Sequence, residues 1–421
     1  MSLMTQPRSA LATPRPALEV MIAPGPLLLS TVGRGPELAV HEAQWGPLPA
    51  LSTQALVELT AAAELRGRGG AGFPFARKLT TVLANRRLGR APVIVVNAAE
   101  GEPASAKDTA LILTAPHLVL DGAVLAARAL GAREIHVMTP TERPGSGTAV
   151  TAALAERRQR GGERVTWRHH EVGARFVSGQ AQAVLEHIAG RVGLPVTAWV
   201  PEAVRGVRGR PTLLSNAETY AQVAALCHVG LSEYAAVGQD SSLGTTLLTV
   251  NRMTDDRLIE RYPLVVEVPT GAPLSTVLDA EDLRSPVLLG GFHGTWARPG
   301  QLAGARVSRP DVEARGLALG AGVVAPYAGS CPEGVTATIV DYLAGESAGR
   351  CGPCVNGLPA LARAMTGLVA DPGRSGPARG EVERFCGLVA GRGACTHPDG
   401  VVRLVRSLLT LMDAPEGWDQ L

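Results

Sequence analysis

The sequence of 421 residues predicts an α/β domain, followed by a small α+β module and a C-terminal all-α bundle. Two short runs of mostly β-branched apolar residues, 92–97 and 134–138, are typical of strands buried in a parallel sheet, and a helical pattern separates them. After about residue 240 short strands alternate with turns, and from about residue 335 the pattern is helical. The predicted boundaries are an extended arm over 1–52 and domains over 53–240, 241–320 and 321–421.

Each element has a local reason. The arm is rich in proline and glycine, with a short strand-like run at 27–31. A helix is predicted over 53–66, because Thr53 can serve as its N-cap and apolar residues recur on one face. The order strand, helix, strand across 92–138 implies a βαβ crossover. Further strands are predicted at 165–171, 245–250, 264–268 and 287–289, and further helices at 180–188 and 274–278.

The helical period of the last segment predicts a bundle that carries most of the cysteines. It places Val355, Leu358, Ala362, Met365 and Val369 on one helix face, which we expect to be buried.

Composition excludes several classes of protein. Forty basic and 38 acidic residues leave a formal charge of +2, and no basic stripe is interleaved with aromatic residues, which argues against nucleic-acid binding. Six cysteines in a chain of this length do not resemble the dense framework of a small secreted domain, and no signal-peptide pattern opens the sequence, so a cytoplasmic location is expected. No run reaches the ~18 uninterrupted apolar residues of a spanning helix. Any membrane association is therefore expected to go through a partner.

The cysteines of the last domain predict a metal centre. Cys351 and Cys354 form a C-x-x-C motif, with Cys331 upstream and Cys395 downstream, and Cys386 is a fifth candidate. Thiolates bind zinc and the iron of iron–sulfur clusters. From the residues alone an iron–sulfur cluster, a zinc site, a thioredoxin-like redox pair and buried unpaired cysteines all remain open.

The glycine-rich segment 67–72 predicts an anion-binding loop. Four glycines allow left-handed backbone conformations and a close approach of N–H groups to a phosphate, and Arg66, Arg68 and Lys78 add positive charge. The segment lacks the Gly-Lys-Ser/Thr ending of a Walker loop, and no buried strand leads directly into it. A plain connecting turn is the alternative.

Four segments, 66–74, 95–108, 211–219 and 346–354, together resemble one family in one order. They are similar to the NADH-oxidising flavoprotein subunit of respiratory complex I and to the diaphorase subunits of NAD-linked hydrogenases and formate dehydrogenases. The resemblance covers roughly residues 60–410. It implies an FMN-binding α/β domain, a β-grasp module of the soluble-ligand-binding (SLBB-like) type and a helical domain with a [4Fe-4S] cluster, with electrons passing from NADH to FMN to the cluster.

The resemblance also implies roles for individual residues. Glu102 corresponds to a carboxylate near the nicotinamide nucleotide and is the expected catalytic-site residue. The residues expected to bind FMN or the nucleotide are Gly67, Arg68, Gly69, Gly70, Phe73, Lys78, Asn97, Glu100, Phe176 and Asn216. The first cysteine of the family's cluster motif falls on Ala348, so Cys331 is expected to join Cys351, Cys354 and Cys395 as the fourth ligand. Cys395 is preferred over Cys386 because its glycine-rich turn leaves N–H groups free for sulfur.

Some positions depart from the family pattern. Ala99, Gln180 and Ala181 replace carboxylates, and a second stacking aromatic falls on Thr81. The sequence therefore supports two main hypotheses. The first is an oxidoreductase that passes electrons from NADH through FMN and a cluster to a ferredoxin, a thioredoxin-like iron–sulfur protein or a larger redox complex. The second is a relative that binds no NADH and acts as an iron–sulfur relay or docking subunit. A zinc-stabilised structural protein is a further rival.

Overall fold

The computed structural model describes residues 19–87, 90–173, 175–197, 200–371 and 376–413. The strands in these ranges are β1 Met21–Ile22, β2 Val93–Asn97, β3 Glu134–Pro140, β4 Thr166–Val172, β5 Thr212–Asn216, β6 Thr245–Val250, β7 Leu264–Pro269, β8 Val287–Leu289, β9 Thr295–Ala297 and β10 Val323–Pro326. The helices are α1 Leu38–Trp45, α2 Thr53–Ala62, α3 Phe75–Ala84, α4 Lys107–Thr114, α5 Pro116–Leu130, α6 Pro144–Arg160, α7 Ala181–Ile188, α8 Ala217–Val237, α9 Arg309–Ala314, α10 Pro332–Gly345, α11 Leu358–Ala370, α12 Pro377–Val389 and α13 His397–Met412.

The first sheet has the order β4-β3-β2-β5, and all its strands are parallel. The first four residues of β2 are buried, as the apolar run predicts, and helices α5 and α8 cover one face of the sheet. The predicted βαβ crossover is confirmed. Strands β3 and β4 lie on one side of β2, and β5 lies on the other. In open parallel sheets a crevice that can bind a ligand forms where the strand order reverses in this way. Asn97 and Asn216, which end β2 and β5, are direct neighbours across this point.

The second sheet has the order β1-β7-β6-β10-β8-β9 and mixes parallel and antiparallel pairs. Its outer strand β1 comes from the N-terminal arm and pairs with β7. The strand predicted at 27–31 is wrong, because this segment is a buried turn. The backbone N–H groups of its three leucines all donate to the buried carboxylate of Glu267 in β7, and this common acceptor bends the chain.

Helix α1 also fastens the arm to the α/β unit. The His41 Nε2 atom lies 2.8 Å from a carboxylate oxygen of Asp121 in α5, and Arg157 of α6 donates to the other oxygen at 2.7 Å. All three side chains are buried. The part of the predicted arm before residue 19 lies outside the described residues.

The last four helices, α10 to α13, share a core with the edge of the second sheet. Leu358, Ala362 and Met365 are buried in it as predicted, whereas Val355 and Val369 are 56% and 38% exposed. A wide π-helical turn over Pro353–Gly357 precedes α11 and shifts the helical register at Val355. Val369 lies in the last turn of the helix, where the core ends.

Within the described ranges, no single helix is long and apolar enough to cross a membrane. Helices α4 and α5 would reach that length and composition together, but they meet at an angle of 95°, and their residues are mostly buried in the α/β unit.

Candidate functional site

A cavity of about 730 Å³ lies at the carboxyl ends of β2 and β5. This volume is in the range of cofactor sites, roughly 300–1,000 Å³. The cavity wall also includes residues of the second sheet unit and of the turn that precedes α13. Of the residues expected to bind FMN or the nucleotide, all except Gly70 line it, and so do Glu102 and Cys395. The structure therefore brings together segments that lie far apart in the sequence.

The glycine loop forms one wall of the cavity. Gly70 and Gly72 have φ angles of +99° and +62°, which other residues rarely adopt. A Cβ atom on Gly69 would lie 3.4 Å from the Cβ of Asn216, so the loop approaches the end of β5 closely. Arg68 extends from this loop. Its Nη2 donates to the Thr245 carbonyl, whereas its buried Nε has no hydrogen-bond partner among the described residues and lies 3.9 Å from a Glu218 oxygen.

A buried charge network supports the floor of the cavity. The Lys107 ammonium donates to Glu218 at 2.8 Å, to Asp108 at 3.1 Å and to the Asn216 side-chain oxygen at 3.3 Å. Asn216 donates to Asp108 in turn, and its side-chain oxygen accepts the N–H of Glu218 at the start of α8. Burial raises the pKa of Asp108 to about 6, although Lys107 opposes the shift. The network fixes the orientation of Asn216.

Two other predicted residues are held in the same way. Asn97 donates to the Gly179 carbonyl at 2.8 Å, and its side-chain oxygen accepts the N–H of Ala99. Glu100 accepts from the backbone N–H groups of Asp108 and Thr109, and from the guanidinium of Arg143. These groups already bind protein partners, so the side chains of Asn97 and Glu100 shape the cavity in addition to lining it.

Lys78 of α3 also lines the cavity. Its ammonium donates to Glu202 at 2.9 Å and to the Leu214 carbonyl at 2.8 Å. The sequence did not point to Glu202, to Arg143 or to the burial of Lys107. The only sequence feature that could have indicated these residues is a charge close to a glycine or to the end of a strand, and this feature is common in proteins.

The remaining predicted residues of the cavity are aromatic or acidic. Phe73 is 46% exposed, with the Arg77 guanidinium 5.7 Å from its ring centroid. Glu102 accepts from the backbone N–H of Phe292 at 2.9 Å and of Ala104 at 3.2 Å, which connects the α/β unit to the second sheet unit. The Phe176 ring packs against the His293 ring, with 4.3 Å between the ring centroids.

Three thiols converge beside this cavity. The sulfur atoms of Cys351 and Cys354 are 3.5 Å apart, and Ala394, the residue before Cys395, directs its N–H at the Cys351 sulfur. Backbone N–H groups point at each sulfur: that of Ala394 at Cys351, those of Gly349 and Arg350 at Cys354, and that of His397 at Cys395. Although partial burial acts to raise it, the pKa of Cys351 is lowered by these N–H donors.

The structure does not place Cys331 with these thiols, and the expectation that it completes the set is corrected. Cys331 precedes α10, where its N–H donates to Tyr327 and Asp255, whereas Cys351 follows the other end of the helix. Fourteen helical residues at about 1.5 Å each span roughly 21 Å. Cys386 is buried in α12, where burial raises its pKa to about 11, whereas Cys395 lies in the turn that lines the cavity.

The donor sets fit FMN and an iron–sulfur cluster. The cavity offers glycine backbone, the basic side chains of Arg68 and Lys78 and an exposed aromatic ring, which suit a phosphorylated flavin. The thiols with their N–H donors suit a cluster. The two sites adjoin, because residues 393–396 line the cavity and the Gln180 side chain, also in the cavity wall, hydrogen-bonds Cys395.

Comparisons with known proteins agree with this arrangement. The family model of the Nuo51 FMN-binding domain matches residues 60–225, and that of the iron–sulfur binding region of NADH-ubiquinone oxidoreductase F matches residues 334–414. The chain is 28% identical over 372 residues to the NADH-quinone oxidoreductase F 2 subunit of Rhizobium meliloti (strain 1021), covering 84% of this chain and 86% of the relative. It is 27% identical over 343 residues to the NADH-quinone oxidoreductase F protein of Rhodobacter capsulatus, covering 75% of each chain.

A solved structure is similar as well. It is the crystal structure of NAD+-reducing [NiFe]-hydrogenase in the H2-reduced state, with a TM-score of 0.77 and 25% sequence identity. The match covers 93% of this chain and 66% of the hydrogenase chain, so this chain spans slightly less than two thirds of that protein's length.

Proposed function

Because the chain belongs to the family of NADH-quinone oxidoreductase F subunits, we propose that it is an NADH dehydrogenase (diaphorase)-type oxidoreductase that passes electrons from NADH through FMN and a [4Fe-4S] cluster to a partner redox protein. The observation that carries this proposal is the shared wall of residues 393–396, which joins the cavity to the thiol site. Nothing in the comparisons supports the alternative of a relative that binds no NADH.

The cavity residues would bind and orient the flavin and the nucleotide. Bound FMN accepts two electrons together and releases them singly, which is the chemistry that the chain itself lacks. The glycine loop and the Arg68 side chain would bind the phosphorylated end of the flavin. Glu102 is held by two backbone N–H groups, and it would orient the nicotinamide nucleotide. Phe73, exposed at the cavity, would stack on the adenine.

Cys351, Cys354 and Cys395 would hold the cluster. Burial raises the pKa of Cys354 and of Cys395, and the N–H donors at each sulfur oppose this effect and favour the thiolate, which is the form that binds iron. Gln180 bonds Cys395 from the cavity wall, so its side chain would lie between the flavin and the cluster.

Electrons must then leave the chain. Val355 is exposed beside the thiols, as is Gly352, and a partner at this surface would come closest to the cluster. The proposed partner is a ferredoxin or thioredoxin-like iron–sulfur protein, either free in the cytoplasm or within a larger redox complex. The second sheet unit would correspond to the SLBB-like module predicted over 241–320.

The test is an anaerobic visible spectrum before and after NADH addition, with flavin and iron measured on the same sample. We expect flavin and cluster absorbance that bleach with NADH. Flavin and cluster absorbance that does not change on addition of NADH would overturn the proposal that NADH is the electron donor. A colourless protein would overturn the whole proposal.

A glycine variant tests the cavity itself. A Cβ on Gly101 would lie 2.6 Å from the Phe176 carbonyl oxygen, so Gly101→Ala should displace the cavity wall and lower the FMN bound per chain. Gly367→Ala, where a Cβ has no neighbour within 4 Å, is the matched control and should retain FMN. Equal flavin content in both variants would contradict the assignment of FMN to this cavity.

A further inference from the structure

We propose that one iron of the cluster has no cysteine ligand and instead binds a small exchangeable ligand, either solvent oxygen or a small thiol. The inference rests on the proposed function, because it assumes the cluster at Cys351, Cys354 and Cys395. It goes further in assigning a ligand-binding position on the cluster itself.

Only some of the six thiols of the chain can bind the cluster. All six cysteines lie in the described ranges. Cys331 is at the far end of α10, Cys386 is enclosed in the helical core, and Cys227 is in α8 of the α/β unit, where burial raises its pKa to about 12. Three thiols therefore remain for a [4Fe-4S] cluster, which has four irons.

Two other side chains, those of His397 and Glu346, could replace a thiol as the fourth iron ligand. His397 is the nearest imidazole in the sequence, but its Nε2 lies 2.8 Å from the Leu343 carbonyl oxygen and its Nδ1 lies 3.1 Å from a ring nitrogen of His293. Glu346 accepts the Phe176 N–H at 2.8 Å and lies 3.7 Å from Arg175. Both candidate ligands already have partners.

The missing fourth ligand falls at Ala348. Ala348 precedes Cys351 by the same spacing that separates Cys351 from Cys354, and its methyl group cannot bind iron. It is half-buried, and the next two residues, Gly349 and Arg350, are exposed. Solvent and small solutes can therefore approach this side of the thiol loop.

The chemical consequence is a cluster that loses one iron on oxidation. One-electron oxidation by ferricyanide would convert [4Fe-4S]2+ to [3Fe-4S]+ with release of Fe2+, while ferricyanide becomes ferrocyanide. An iron without a thiolate is the one released. Fe2+ with dithionite as the electron donor would rebuild the original cluster.

The experiment uses the full chain, purified anaerobically, with iron per chain and electron paramagnetic resonance measured before and after one equivalent of ferricyanide. We expect the loss of one iron per chain, the appearance of a [3Fe-4S]+ signal, and reversal by Fe2+ with dithionite. Addition of 2-mercaptoethanol to the protein in the absence of ferricyanide should change the cluster spectrum.

Two variants complete the test. Ala348→Cys should retain all its iron under ferricyanide, whereas Cys331→Ser should lose one iron as the wild type does. Full iron retention by the wild type would overturn the inference and leave the proposed function intact, and the wild-type result decides even where Ala348→Cys does not fold. A protein without iron, with a Cys351–Cys354 disulfide detected by mass, would overturn the cluster assignment itself.

Discussion

The cysteines near the two ends of helix α10 differ in their surroundings. At its start, the backbone N–H of Cys331 donates to Asp255 and Tyr327. Past its end, Cys351 and Cys354 meet each other, and Cys395 joins them from the turn before α13.

Which cysteines can share a metal site depends on the elements that lie between them in the sequence. Cys331 is closer in sequence to Cys351 than Cys395 is, yet a straight helix separates the first pair, whereas α11 and α12 bring the chain back to the second. The N–H groups that point at sulfur also occur at the second end, where tight turns leave them free of helical partners.

The largest expected effect is the loss of the cluster from Cys354→Ser. Removal of one of three thiolates should lower iron per chain roughly tenfold or more, because even outer-shell changes at metal sites cost 10–100-fold. Cys331→Ser is the matched control at the other end of α10 and should retain its iron. Iron analysis and the visible spectrum measure both, and iron loss from Cys331→Ser would break the comparison.

A smaller effect is expected from His397→Ala. The ring is fully buried, packs against Phe176 and lies within hydrogen-bond distance of the Leu343 carbonyl at the end of α10. Its loss should cost about 2–4 kcal/mol in the free energy of unfolding, from the cavity and the unpaired carbonyl together. Part of the iron should be lost too, because the same residue's N–H donates to Cys395.

Denaturant unfolding and iron analysis test this prediction. His397→Gln keeps a donor and part of the volume, so it should recover stability and iron relative to alanine. Equal iron in the wild type and both variants would show that the ring does not position the thiol turn.

Much of the fold could be predicted from local patterns. The strands at 245–250 and 287–289 are confirmed at the same bounds, since β-branched and apolar runs between turns leave few alternatives. Helix α2 is confirmed but shorter than predicted, because Glu64 has a φ angle of +46° just beyond its end. Its N-cap is Ser52, whose hydroxyl accepts the Ala55 N–H, and the Thr53 hydroxyl donates to Ala129 instead.

Long-range contacts account for what the sequence could not provide. The turn at 27–31 depends on Glu267, about 240 residues away, and no local pattern reports that carboxylate. Lys107 and Glu218 look like ordinary charges in the first turns of two helices, yet both are buried and paired with each other. The cavity residues were identified through the family resemblance, whereas the distance between Cys331 and Cys351 needed the length and direction of α10.

The smallest expected effect is that of Asp255→Asn, at the start of α10. This carboxylate accepts from Tyr327, Ser330 and Cys331. Although burial acts to raise it, these hydrogen bonds hold the pKa of Asp255 below its ordinary 3.8. The unfolded chain then binds more protons than the folded one just below that value, so this stabilisation is present above about pH 4 and is lost as the pH falls further.

Because Asp255 is exposed and solvent screens its charge, the neutral amide should cost less than about 1 kcal/mol in the free energy of unfolding at pH 7, and progressively less as the pH is lowered below 4. Denaturant unfolding of both proteins at several pH values measures this difference. Iron per chain at pH 7 should equal that of the wild type, because the start of α10 lies outside the cluster site. A folded variant that loses iron would show that the start of α10 influences iron binding at the other end of the helix, contrary to the separation of Cys331 from the cluster site.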